Sequence, residues 1–256
     1  MTKQKTAIQI ISGTSDQTSL VFLHGYLLSS SQWINLALKR APWRSVLLDL
    51  PYHGENKSAL LSQKSMKAYA DFVQAELQKI GVERYHLVGH SMGGYIGLEL
   101  LKQDKNLDKL ILLHSNIWAD SEERKRNRER VAVVVKRNKT LFLRESLPLL
   151  FKDKHKHQTV ILELIREASA MSAEGIAHGA LSMRDRLDKV ELVRKNAQRI
   201  FFIQGSNDAL IPLKEAEEVW KKYAREDHFF VIPDSGHMSH LERPRTLRRL
   251  LEDVVL

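Results

Sequence analysis

The chain has no cysteine. That excludes a disulfide framework, a thiol nucleophile and any cysteine-ligated metal site. No uninterrupted apolar run approaches the roughly 20 residues of a membrane-spanning helix, so no membrane span is expected. No H-E-x-x-H or comparable ligand spacing occurs, and no metal is expected. No G-x-G-x-x-G follows an apolar strand, which argues against a dinucleotide cofactor. Internal repeats and low-complexity tracts are also lacking. The opening Met1-Thr2-Lys3-Gln4-Lys5 leads into a strand-like run and not into an apolar stretch. No signal peptide is therefore expected, and the cytoplasm is the default location.

What is present fits one domain. The 256 residues are 43% apolar, enough for a sheet covered on both faces. The net charge of +9 is unevenly placed: residues 120–158 carry twelve Lys/Arg against six Asp/Glu. No nucleic-acid motif accompanies that charge. It reads as a solvated basic surface, and no nucleic-acid partner is expected.

Strand-like and helix-like stretches alternate, which predicts an α/β architecture: a mostly parallel sheet with helices on both faces. The strands are expected at 6–11, 19–24, 44–49, 84–89, 109–114, 199–204 and 228–232. Helices are expected near 31–40, 65–80, 93–103, 214–224 and 243–254. In Ser65–Ile80 the apolar residues Met66, Tyr69, Phe72, Val73, Leu77 and Ile80 recur at a helical period. Residues 116 to about 190 break the alternation. They read as short helices at about 121–136, 140–150, 157–171 and 173–185.

Residues 89–93 read Gly-His-Ser-Met-Gly, with the apolar Tyr85-His86-Leu87-Val88 before them and a helix-like run from Gly94 after them. That context suits a nucleophile elbow, a sharp strand-to-helix turn that lifts Ser91 out with its hydroxyl exposed. Gly89 and Gly93 let the two backbones approach closely. A serine hydroxyl needs a base, and the base needs an acid to orient it. Downstream, an apolar strand ends in Gly205-Ser206-Asn207-Asp208. A later one is followed by Asp234-Ser235-Gly236-His237. The order is Ser, Asp, His.

These pieces, with His24-Gly25-Tyr26 and Asp49-Leu50-Pro51-Tyr52-His53-Gly54, resemble the α/β-hydrolase fold of small, single-domain, esterase-like serine hydrolases. The resemblance runs from residue 20 to about 245. It implies Ser91 as nucleophile, His237 as base and Asp208 as acid. It implies the backbone N–H groups of Met92 and Tyr26 as oxyanion donors, with Leu27 the neighbouring alternative. It implies a helical cap at about 116–190 inside a single domain spanning 1–256. Leu27, His114, Trp118, Leu210 and Met238 are expected on the substrate pocket. Tyr52 departs from the pattern, standing where the family often has glycine, and the N-terminal hairpin reads as abbreviated.

Other acids and histidines sit in contexts that suit other roles. Asp120 could be the acid in relatives that use the preceding strand, but it reads as a helix N-cap beside Glu122 and Glu123. His24 and His90 read as structural, His155 and His157 as solvated, and His240 as outside direct contact with substrate. A serine at the elbow argues against the haloalkane-dehalogenase and epoxide-hydrolase branches.

The expected activity is hydrolysis of a carboxylic ester, or a related acyl bond, in a small-molecule substrate. C–C bond hydrolysis, thioester cleavage, a menaquinone-pathway-type lyase reaction and a ligand-receptor role stay open on the same residues. One further pattern is ambiguous. At about 100° per residue, Arg124 and Arg128 share one helix face, and Arg126 and Arg130 share another. The helix is either solvated all round, or one arginine pair faces the pocket and favours an anionic substrate.

Overall fold

The computed structural model describes residues 7–11, 18–37 and 43–255. The opening Met1–Lys5, the start of the expected first strand at Thr6 and the end of the expected helix at 38–40 lie outside them.

All seven expected strands form. They are β1 (Ile8–Ile11), β2 (Ser19–Leu23), β3 (Arg44–Leu48), β4 (Tyr85–His90), β5 (Leu107–Leu113), β6 (Ile200–Gly205) and β7 (Phe229–Ile232). Their order in the sheet they share is β1-β3-β2-β4-β5-β6-β7. β1 is antiparallel to β3, and every other pair is parallel. Parallel strands covered on both faces read as continuous apolar runs. β2 is such a strand, buried along its length, with successive side chains sent to opposite faces. Leu20 and Phe22 pack with Trp33, Leu247 and Leu251. Val21 and Leu23 pack with Tyr69, Val73, Leu77 and Ile96 on the other side.

The helices are α1 (Ile34–Ala37), α2 (Met66–Lys79), α3 (Met92–Gln103), α4 (Glu122–Ser146), α5 (Gln158–Ser169), α6 (Ala173–Arg184), α7 (Val190–Lys195), α8 (Leu213–Tyr223), α9 (Ser239–Glu242) and α10 (Pro244–Val255). α2 shows how sequence sets a helix. Ser65 Oγ accepts from the Ala68 N–H and caps its start. Met66, Tyr69, Ala70, Val73 and Leu77 then form the buried stripe against the sheet. Among the described residues, no helix is long and apolar enough to cross a membrane.

α4 combines the two helices expected at 121–136 and 140–150. The break between them survives as a kink at Asn138, where φ is −150° and ψ is 78°. Asn138 Oδ1 accepts from the Leu141 N–H at 3.0 Å and so caps the second half. α4, α5 and α6 build a third apolar cluster of their own, including Val135, Leu143, Leu147, Ile161, Leu164 and Ile176. Leu27, Leu28 and Met238 belong to the same cluster. These three come from loops that follow strands β2 and β7, so the inserted helices are seated on the loops carrying the expected chemistry.

Candidate active site

β4 runs directly into α3 through Ser91, which has φ 50° and ψ −111°. A non-glycine residue in this left-handed region is strained and held by its surroundings. The Ser91 N–H donates to the Leu113 carbonyl at 2.9 Å, and the Ser115 hydroxyl donates to the Ser91 carbonyl at 2.9 Å. The flanking glycines are sterically required. A Cβ on Gly93 would lie 2.5 Å from the Leu23 carbonyl oxygen, and one on Gly89 would lie 2.5 Å from the Gly93 carbonyl oxygen. Ser91 thus stands at the N-terminus of α3, beside a cavity of about 440 Å³ that it borders together with His90 and His237.

His237 is fixed from three sides. Its Nδ1 lies 2.8 Å from Asp208 Oδ2. Its carbonyl accepts from His90 Nε2 at 2.9 Å, and its N–H donates to the Leu150 carbonyl at 2.8 Å. Buried Glu242 strengthens that junction, accepting from the Gly236 N–H and from the Lys152 N–H. The chain just after α4 is therefore hydrogen-bonded to the histidine loop itself.

Asp208 accepts five hydrogen bonds. His237 Nδ1, His114 Nδ1 and Gln204 Nε2 donate to Oδ2 at 2.8, 3.0 and 2.9 Å. The Leu210 and Ile211 N–H groups donate to Oδ1 at 2.9 and 3.1 Å. Burial pushes this carboxyl up, but the charge interaction with His237 and the hydrogen bonds from His114 and His237 outweigh it. The group is held well below the usual carboxylate range and stays ionised. His114, Asp208 and His237 also place ligand-type atoms within 4.8 Å of one another. Both imidazoles, however, aim Nδ1 at the same carboxylate oxygen, and an ion there would have to displace those hydrogen bonds.

The structure sorts the expected pocket residues. Leu27 and Leu210 border the cavity. His114 does not: it is fully buried behind Asp208, with the Ser239 hydroxyl donating to its Nε2 at 2.7 Å. Met238 is also fully buried, because its side chain anchors the third apolar cluster. Trp118 borders a different, small cavity beside Met66 and Leu98. Tyr26 borders the main cavity, while its ring packs at α6 and its hydroxyl donates to the Ile176 carbonyl. Leu27, next to it, is at φ 67°. The Met92 side chain is fully buried, so any role at the cavity belongs to its backbone.

Asp120 is not the N-cap of α4. That position belongs to Ser121, whose side chain accepts from the Arg124 N–H. Asp120 is instead a buried anion between Arg186 and Arg128, at 2.8 and 3.2 Å. Sequence adjacency to Glu122 and Glu123 hides this, since Arg128 comes from further along α4 and Arg186 from just beyond α6. Sequence reasoning also passes over Gln204. Its place four residues before Asp208, at the end of an apolar strand, is the available signal. Tyr52, standing in place of glycine, does sit at φ 71°. Its ring packs 4.6 Å from that of His178, and its hydroxyl accepts from the Leu61 N–H.

The family model for the alpha/beta hydrolase fold matches residues 18–244. The chain belongs to this family. A thermophilic esterase from Thermogutta terrifontis, solved with malate bound, is 26% identical with a TM-score of 0.87, covering 97% of this chain and 92% of that one. A 2-succinyl-6-hydroxy-2,4-cyclohexadiene-1-carboxylate synthase from Serratia proteamaculans is 25% identical over 266 residues, covering 95% of each chain. An esterase from Exiguobacterium antarcticum shares the fold at a TM-score of 0.81 and 19% identity, covering 97% of this chain and 94% of that one. This α/β-hydrolase stands among the hydrolase and esterase enzymes of its superfamily.

Proposed function

We propose that this α/β-hydrolase cleaves carboxylic esters of small molecules through Ser91, His237 and Asp208. The observation that carries the reading is the buried Asp208–His237 bond of 2.8 Å at a cavity that His237 shares with the strained elbow serine. With Nδ1 engaged by Asp208, His237 keeps Nε2 to accept a proton. Ser91 Oγ then attacks the ester carbonyl, and its proton passes to His237. The tetrahedral oxyanion is held by the Met92 and Tyr26 N–H groups, helped by the N-terminal end of α3. His237 returns the proton to the departing alcohol. Water, deprotonated by the same histidine, cleaves the acyl-enzyme and frees the acid. Residues 116–190 serve as the cap that shapes the pocket within one domain, and the protein works in the cytoplasm.

A fluorophosphonate probe tests the assignment. Intact-mass spectrometry is expected to show one adduct, absent in Ser91→Ala. Equal labelling of that variant would remove Ser91 from the mechanism. The match to the Serratia synthase over nearly its whole length supports a second reading, a lyase reaction on the same triad. Turnover of a graded panel of simple esters separates the two, because a dedicated lyase leaves the whole panel uncleaved.

A further inference from the structure

The walls of the main cavity are chemically lopsided. Among the described residues, two permanently charged side chains border it, Arg124 and Arg128, and no carboxylate does. They lie one turn apart on α4, with Asn127 and Val131 on the same wall. Phe142, Leu147, Leu149 and Leu150 make another part of the wall apolar.

The two arginines are not neutralised. Arg128 Nε is 3.2 Å from Asp120 Oδ2, but the other oxygen of Asp120 faces Arg186 Nη1 at 2.8 Å. One carboxylate thus answers two guanidiniums, and one positive charge remains. Arg124 has no acidic partner among the described residues. Its Nη2 donates to the Leu210 carbonyl at 2.8 Å, which orients the group and cancels no charge. Arg124 sits in the first turn of α4, where the helix dipole adds positive potential; Glu122 and Glu123 share that turn, and Glu122 is paired with Lys125. The outward pair, Arg126 and Arg130, borders a separate surface depression with Val133 and Val134. α4 therefore presents one arginine pair to solvent and one to the cavity, so a uniformly solvated helix does not describe it.

We infer that the cavity takes esters bearing a carboxylate remote from the scissile carbonyl, with Arg124 and Arg128 holding that carboxylate and the apolar wall holding the chain between. The inference rests on the ester-hydrolase reading and names its substrate class. Guanidinium forks bind carboxylates through paired, charge-assisted hydrogen bonds. With the carboxylate on the acyl chain, the reaction adds water to the ester and yields an alcohol, a dicarboxylate and one proton.

The test compares monomethyl adipate with methyl adipamate, its neutral amide counterpart. At low ionic strength kcat/KM is expected to favour the carboxylate by about tenfold or more, the size of one charge-assisted hydrogen bond. Added salt shrinks the advantage. In Arg124→Gln/Arg128→Gln the ratio of the two substrates falls toward one, and lysine at both positions restores only part of it. A ratio at or below one in the unaltered protein overturns the inference, as does a ratio that the double substitution leaves unchanged. If the double variant fails to fold, Arg124→Gln alone serves, with the ratio expected to fall part of the way. Calorimetry of adipate binding to Ser91→Ala reads the anion site without turnover. If neither ester is cleaved, the hydrolase reading fails. The anion site then still stands on saturable, salt-sensitive adipate binding that Arg124→Gln weakens, and falls without it.

Discussion

His114 and His237 present the same ring atom, Nδ1, to the same oxygen of Asp208, at 3.0 and 2.8 Å. The second histidine, His114, is neutral: burial lowers it below the ordinary imidazole value despite the Asp208 bond. It reaches His237 through the carboxylate they share and through a direct ring contact, with centroids 5.4 Å apart. Removing its N–H takes away one of the hydrogen bonds that hold the carboxylate in place against His237. His114→Phe is expected to lower kcat by about tenfold, the size of one hydrogen bond to a charged group, and to leave KM unchanged. His114→Asn restores a donor and suits the left-handed backbone at φ 48°. An unchanged kcat in the phenylalanine variant would show that His114 merely fills space.

Asp208 and Asp120 separate cleanly by substitution. Asp208→Asn loses the orientation of His237, with an expected fall in kcat of about 10⁴. Asp120→Asn leaves buried Arg186 and half-buried Arg128 without their anion and costs about 3 kcal/mol of stability. Chemical denaturation and steady-state kinetics on both variants check this, and the reverse pattern would move the acid to the earlier strand.

Acid lability is expected from the buried histidines. Burial lowers His24 to about 4 and His53 to about 3, and it lowers His90, His114 and His240 as well. An unfolded histidine titrates near 6.5. As pH falls below about 6.5, the unfolded chain takes up protons that the folded chain refuses, and stability falls. Each group contributes up to about 1.4 kcal/mol per pH unit in that window. Asp208, with its pKa depressed, keeps its stabilisation until the pH drops below about 3.9, so it acts in a lower window. Urea midpoints should decline steadily from pH 7 toward about pH 5. A flat profile would mean that these imidazoles are not held neutral.

The elbow glycines are expected to differ from a nearby helix glycine. In Gly93→Ala the new methyl meets the Leu23 backbone carbonyl at 2.5 Å, and nothing there is free to rotate. The expected cost is about 3 kcal/mol. In Gly97→Ala the methyl meets Leu110 Cδ1 at 2.6 Å, the end of a side chain that can adjust, and the cost is about 1 kcal/mol. Thermal unfolding of the two variants ranks them, and equal costs would contradict the backbone contact at the elbow.

The sequence by itself determined the strands, the elbow and the order Ser91, Asp208, His237, because these are local. A buried parallel strand must be an apolar run, and a sharp turn between packed backbones needs glycine at Gly89 and Gly93. Even the break in α4 was legible as two separate helices at about 121–136 and 140–150, and the structure shows Asn138 capping the second half. Only the tertiary structure decided what depends on chain segments meeting. His114 reaches Asp208 because β5 lies beside β6, and a strand-end histidine carries no sign of what the neighbouring strand presents to it. Asp120 became a buried anion and not a cap because Arg128 and Arg186 converge on it, one from α4 and one from just beyond α6. Which arginine pair faces the cavity was undecidable from period alone. A helical period places Arg124 with Arg128 and Arg126 with Arg130, but only the packing of α4 on its neighbours picks the inward face.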